Sequence, residues 1–385
     1  MKKIVYILLI LLILTLASCF PEHEHVFGEG VYIVCPTDEI EGRIEFECLI
    51  CHQSKAEFTP VIQGKLVASY PELSNADIVY YEGFIYTYGG NADGISGGRT
   101  NSIYRYDIEN DKLYELNVKL GMPSTSHRVV LVGSKVYIFG GLGNKVDGVT
   151  SRNYNVLVHD LEAQTIEKLT NENGEEVVLP FGVNCHQVGL YNNVIYFAGG
   201  TGSLGSFSSI YSFNLETLEL AQLEVSLPTV VFKGAWCAVD KYIYVIGGTN
   251  GSRLNTIYRF DMESHTVDTM NATLPMCISQ SRAAYDGEGN IYIYGGTLDE
   301  PKNPVANTII KYNIENDTAE LLDQSLPLGL ANVCVAKTEK GIYILGGSYS
   351  ASKGFNDYLD VIIRHDLVYG EVIKVREPIE ITEKQ

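Results

Sequence analysis

Positive charge is scarce in this chain: 28 Lys and Arg stand against 47 Asp and Glu, a formal net charge of −19. So acidic a chain repels phosphate backbones and anionic lipid alike, which argues against nucleic acid as a partner. Tryptophan occurs once, and no stretch sustains the 3.6-residue apolar period of a long amphipathic helix. Long hydrophobic runs are also missing apart from Ile4 to Leu14, which is too short for a comfortable membrane span. Neither His-Glu-x-x-His nor a phosphate-binding loop is present, and the glycine-rich stretches that follow apolar runs open no helical pattern. What is abundant points one way. Thirty-seven Gly and 26 Tyr in 385 residues suit many short strands joined by tight turns, an all-β chain long enough for one large architecture.

The first residues have their own logic. Lys2 and Lys3 precede the apolar run, and Leu16-Ala17-Ser18-Cys19 closes it, the layout of a secretory signal. Leu-Ala-Ser-Cys also resembles the lipobox of bacterial lipoproteins. That resemblance implies a signal peptide over 1–18, lipidation of Cys19, and an extracytoplasmic protein anchored to the membrane of a bacterial envelope.

Three of the eight Cys follow closely: Cys35, Cys48 and Cys51, with His23, His25 and His52. A tetrahedral Zn²⁺ needs four soft or borderline ligands, and a Cys-x-x-Cys turn presents two. His25, Cys35, Cys48 and Cys51 would complete a Cys₃His set. His25-Val26-Phe27, Cys35, Glu41-Gly42 and Cys48-Leu49-Ile50-Cys51 resemble a zinc-ribbon-like module of bacterial surface proteins, which implies a metal-stapled stem over 19–62. Disulfide pairing leaves one of the three thiols odd once Cys19 is lipidated. Cys48 to His52 also spells a c-type haem attachment motif, and both readings stay open on the residues alone.

Beyond the stem the chain repeats itself. Gly-Gly recurs at residues 89, 140, 199, 247, 295 and 346, at intervals of 51, 59, 48, 48 and 51, each pair ending an apolar Tyr- or Phe-bearing run such as KVYIFGG. A second landmark keeps step: Tyr106-Asp107, His159-Asp160, Phe213-Asn214, Phe260-Asp261, Tyr312-Asn313 and His365-Asp366. Two landmarks with one period mark a repeat array. The unit resembles the kelch repeat, which implies a six-bladed β-propeller over 65–376 with a short tail, 377–385, and blades beginning near Asn75, His127, His186, Lys233, Ser281 and Asn332. The outer-strand Trp of that family is replaced here by Leu113, Ile166, Leu220, Val267, Ala319 and Val372, while the single Trp236 sits on an inner strand.

Propeller function belongs to loops that converge at one end of a central channel. Asn75, His127, Arg128, His186, Lys233, Arg282 and Asn332 occupy similar places before Gly-Gly in successive repeats. A ring would gather them at the channel mouth as a cationic site for an anionic ligand. The expectation is therefore a binding or scaffold protein engaging a protein or anionic carbohydrate, with no cofactor in the propeller. The alternative is an acidic-sugar mutarotase or isomerase of the kelch class, for which the sequence identifies no catalytic residue. Cys185, Cys237, Cys277 and Cys334 read as small buried thiols.

Overall fold

The computed structural model describes residues 26–27, 31–34, 41–59, 63–92, 98–203, 205–299, 305–349 and 358–376. Among these every regular element is a strand, and the chain divides between residues 62 and 63 into two compact units. In the smaller unit Val31–Val34, Gly42–Glu47 and Ser54–Thr59 form a three-stranded antiparallel sheet. A tight turn joins the last two strands: the Cys48 N–H donates to the Gln53 carbonyl at 2.8 Å and the His52 N–H to the Cys48 carbonyl at 3.0 Å.

The larger unit is a six-bladed propeller, as the repeats predict. Its inner strands are Asp77–Tyr81, Arg128–Val132, Gln187–Tyr191, Ala235–Val239, Arg282–Tyr285 and Cys334–Thr338, each starting one or two residues after the expected blade origin. Every inner strand pairs with the strand that ends in Gly-Gly, then with the strand that ends in aromatic-Asp or -Asn, then with an outer strand. Gly64–Val67 adds a fifth strand outside blade 1. The longest repeat, the second, carries an extra hairpin, Leu142–Val146 with Val149–Arg152.

The two landmarks now have physical causes. In each pair the second glycine's N–H reaches the next blade: Gly90 to Ser124, Gly141 to Val183, Gly200 to Val231, Gly248 to Ile278, Gly296 to Leu330 and Gly347 to Leu73, all at 2.7–2.9 Å. The first glycine lies against the same carbonyl, so that an added Cβ at Gly199 or Gly247 would stand 2.7 Å from it. Both glycines have positive φ, and only glycine permits that conformation together with that approach. The aromatic-Asp landmark makes an Asx turn. Asp107, Asp160, Asn214, Asp261 and Asp366 each accept N–H bonds from residues two and three ahead, and Asn313 from Asn316.

Ring closure, which the repeat pattern leaves unspecified, follows from the same chemistry. Gly347 bonds Leu73 as every other glycine bonds its neighbour, and the sixth inner strand packs beside the first. One core cluster spans the seam, with Ile85, Tyr106 and Leu113 of blade 1 against Cys334, Tyr343 and Leu345 of blade 6. Arg376 donates from Nη1 to the Ala68 carbonyl at 3.0 Å and from Nε to Asp111 at 2.8 Å. Of the residues that replace the outer Trp, Leu113 is buried and the other five are half-buried.

Candidate functional site

One residue per blade precedes each inner strand in the left-handed conformation: Asn75, Ser126, Cys185, Lys233, Gln280 and Asn332, with φ between 53° and 60°. That conformation turns their peptide groups around the axis. The N–H of Ser126 donates to Asn75, Cys185 to Ser126, Gln280 to Lys233, Asn332 to Gln280 and Asn75 to Asn332, at 2.7–3.0 Å. A backbone belt thus tightens this end of the channel. Asn332 Nδ2 also donates to Gln280 Oε1 at 3.4 Å, Asn75 is half-buried, and Lys233 alone of the six is exposed.

Just below the belt the predicted residues take different directions. His127 and His186 are fully buried and lie sideways on the glycine pairs, where a Cβ on Gly141 or Gly200 would meet their own Cβ atoms at 2.9 Å. Neither ring has a hydrogen-bond partner in good geometry, and the Tyr88 backbone only partly offsets the effect of burial on His127. Burial, reinforced by Arg128, lowers His127 to about 3 and His186 well below its ordinary value, so both are neutral near pH 7 and contribute no cation to a mouth.

Arg128 and Arg282 do come together, on a residue that periodicity did not single out as functional. Their guanidinium carbons lie 4.0 Å and 5.2 Å from the Trp236 ring centroid, a cation–π arrangement for each. Arg128 donates from Nε to the His186 carbonyl and from Nη1 to the His127 carbonyl, both at 2.7 Å. Burial, and next Arg282, lowers Arg128 to about 10. Asp77 stands in register with these arginines, its Oδ2 accepting the Val129 N–H at 3.0 Å; burial raises its carboxyl, which the two arginines partly offset. Gln187 completes the layer, fully buried with neither amide atom partnered. The sequence grouped Arg128 and Arg282 with His186 and Lys233; strand register aligns the two arginines instead with Asp77 and Gln187, and His186 and Lys233 stand one and two positions earlier in their repeats.

This packed layer shuts the channel at the end where the mouth was expected. Ser126, His127, Arg128, Gln280, Ser281, Arg282 and Asn332 are all less than a tenth exposed. Beneath it runs a cavity of about 520 Å³ with Asp77, Trp236 and Arg282 at the floor, Val129, Leu131, Val188 and Val335 among its walls, and Asp240, Tyr285 and Lys337 at the far rim. The rim is wet, since Ala238 and Asp240 are exposed. The channel therefore opens at the ends of the inner strands, opposite to the predicted mouth.

Comparison with known proteins agrees with the blade geometry. The KLHDC2/KLHL20/DRC7 Kelch-repeats domain matches residues 75–284, more than half of the chain. The chain belongs to the kelch-repeat family. A kelch domain-containing protein of Archaeoglobus fulgidus is similar at 27% identity, over 69% of this chain and 75% of its own length. Human kelch domain-containing protein 10 is 21% identical over 62% of this chain, which spans 55% of that protein. Among solved structures, YjhT superposes with a TM-score of 0.64 at 15% identity, over 82% of this chain and 99% of its own, a likeness of fold.

The two ends of this kelch propeller carry different sets of charged side chains. Loops at the belt end carry Arg99, Arg152, Lys233 and Arg253 together with the exposed acids Asp147, Glu172, Glu175 and Asp299. Arg99 bonds the Gly143 carbonyl, Arg152 bonds Asn184 Oδ1 at 2.7 Å, and Arg253 approaches Asp299 at 3.3 Å. At the opposite end the Asx turns present Glu109, Glu162, Glu216 and Glu263, all exposed. The letters Gly94-Ile95-Ser96-Gly97-Gly98 have the spacing of a hydrolase nucleophile elbow, yet the flanking elements, Asn91–Ala92 and Ser102–Asp107, are both strands, whereas an elbow needs a strand followed by a helix.

In the stem, Cys48 is buried and Cys51 half-buried on the same tight turn, a donor pair suited to a soft or borderline metal. His25 and Cys35, the other expected ligands, and Cys19 lie outside the described residues. Among the described residues no three His, Cys, Asp or Glu converge as a metal site. In the propeller Cys237 and Cys334 are buried, whereas Cys185 and Cys277 are half-buried.

Proposed function

We propose that this kelch protein is a binding or scaffold protein that presents the loop face at its belt end to an anionic partner, an acidic protein surface or an acidic carbohydrate. The observation that carries this reading is the placement of Arg99, Arg152, Lys233 and Arg253 on loops of that end, where Lys233 is exposed, although Asp147, Glu172, Glu175 and Asp299 share the same loops. Such a face steers an anion and bonds it through charge-assisted contacts. Lipid on Cys19 would hold the protein at the outer face of a bacterial envelope membrane, with a Zn²⁺ held by His25, Cys35, Cys48 and Cys51 stiffening the stem; that metal supplies structure and no chemistry to the propeller.

The test compares the chain lacking residues 1–18 with its Lys233→Glu/Arg253→Glu variant. Calorimetry with sialic and glucuronic acids, and crosslinking in envelope extracts, should show saturable binding that the double variant loses by at least tenfold. Equal binding by both proteins removes the loop face from consideration. The mutarotase alternative draws on Asp77 beside Arg128 and Arg282, a carboxyl whose affinity for its proton is raised by burial. Anomer exchange of the same sugars, followed by NMR with Asp77→Asn as comparison, is its assay.

A further inference from the structure

We infer that the central channel is a ligand pocket, entered from the face opposite the loop face, for a small organic acid with one carboxylate and an apolar body about eight carbons long. The inference is independent of the loop-face reading, because the layer of Arg128, Trp236 and Arg282 separates the two sites.

The cavity's size, lining and charge support it. Its volume of about 520 Å³ falls in the ordinary range of small-molecule sites, and its aliphatic walls between a polar floor and a polar rim match their usual chemistry. The closing layer holds two guanidinium groups, of which Arg282 lines the floor and Arg128 is buried behind it, against the single carboxyl of Asp77, so the layer carries one positive charge in excess. Asp77 is already engaged by the Val129 N–H. Arg282, by contrast, is 4% exposed, donates from Nη1 to the Ser281 carbonyl at 3.0 Å, and leaves its Nε without an acceptor. A buried donor without an acceptor is costly, and a carboxylate at the floor would relieve it. From Arg282 to Tyr285 the strand advances about 10 Å at ~3.3 Å per residue, the length an eight-carbon chain occupies between floor and rim. Trp236 lines the cavity and offers that chain an apolar surface, while the rim lysine, Lys337, donates to the Thr338 carbonyl at 2.7 Å.

Trp236 is the one tryptophan in the sequence, so its fluorescence reports the floor directly. Titration with octanoate should give a saturable change in emission. Octanol, which keeps the body and loses the charge, and acetate, which keeps the charge and loses the body, should each bind at least tenfold more weakly. Arg282→Met should weaken octanoate at least tenfold. Ala238→Phe, at an exposed lining position away from the buried charges, should block entry, and it decides the matter alone if the Arg282 variant does not fold. Octanol binding as tightly as octanoate, the absence of a saturable response, or an Ala238→Phe protein that titrates like its parent would overturn the inference.

Discussion

Gly140→Ala isolates the contact that makes the blades a ring. Gly140 has φ +66°, and a Cβ there would press on the Val183 carbonyl oxygen, with Val183 Cγ1 at 2.9 Å and the carbonyl carbon at 3.0 Å. That carbonyl is the acceptor for the Gly141 N–H at 2.8 Å. Three costs follow: about 1–2 kcal/mol for the left-handed backbone, about 1 for the weakened hydrogen bond, and about 1–3 for displacing a packed segment. Together they come to roughly 3–6 kcal/mol, or about 5–9 °C in Tm for a unit of this size. Gly133→Ala is the matched comparison, because Gly133 has φ +60° with nothing within 4 Å of the missing Cβ. Only the backbone term remains there, so the expected loss is about 1–2 kcal/mol and roughly 1.5–3 °C. Differential scanning calorimetry on both variants reads the difference. Equal losses would show that positive φ alone explains the glycine pairs and that the blade-to-blade approach is not the constraint.

Asp160→Ala removes an acceptor that holds the Glu162 and Ala163 N–H groups at 3.1 and 2.9 Å; by analogy with a helix N-cap it should cost about 0.5–2 kcal/mol in urea unfolding, and no loss would deny the Asx turn a structural part. Acid should destabilise the propeller early: burial lowers His127 to about 3, His159 to about 4, and His186 and His365 below their ordinary value. The unfolded chain then binds the extra protons, so stability present above about pH 6.5 falls as pH drops toward 4, by up to about 1.4 kcal/mol per unit for each histidine. Asp77 and Glu82, whose carboxyls burial raises, act in the opposite sense and are two groups against four. Urea midpoints that stay level between pH 7 and 5 would contradict this. Cys19→Ala should shift the protein from the membrane fraction to the soluble fraction, and unchanged partitioning would count against the lipid anchor.

Much of the architecture was legible because it is written in local rules that repeat. Gly-Gly and aromatic-Asp each satisfy a backbone requirement at a fixed place in a blade, and six copies of both leave one reasonable count. The sequence thereby determined the all-β class, the number of blades and the starts of the inner strands to within two residues. It grouped Arg128 and Arg282 with His186 and Lys233, because spacing from Gly-Gly does not reveal the one- and two-residue offsets that strand pairing sets. What it could not determine was direction. Side chains at the start of an inner strand can turn into a blade, across the channel or out to solvent, and the local sequence is the same in each case. His127 and His186 turn into the blades because glycines vacate the space there, Lys233 turns out to solvent, and Arg128 and Arg282 turn onto Trp236, a residue from a third blade. Only the closed ring brings Trp236 and Asp77 to those arginines, and only their packing decides that the channel is shut at the expected mouth and open at the other end.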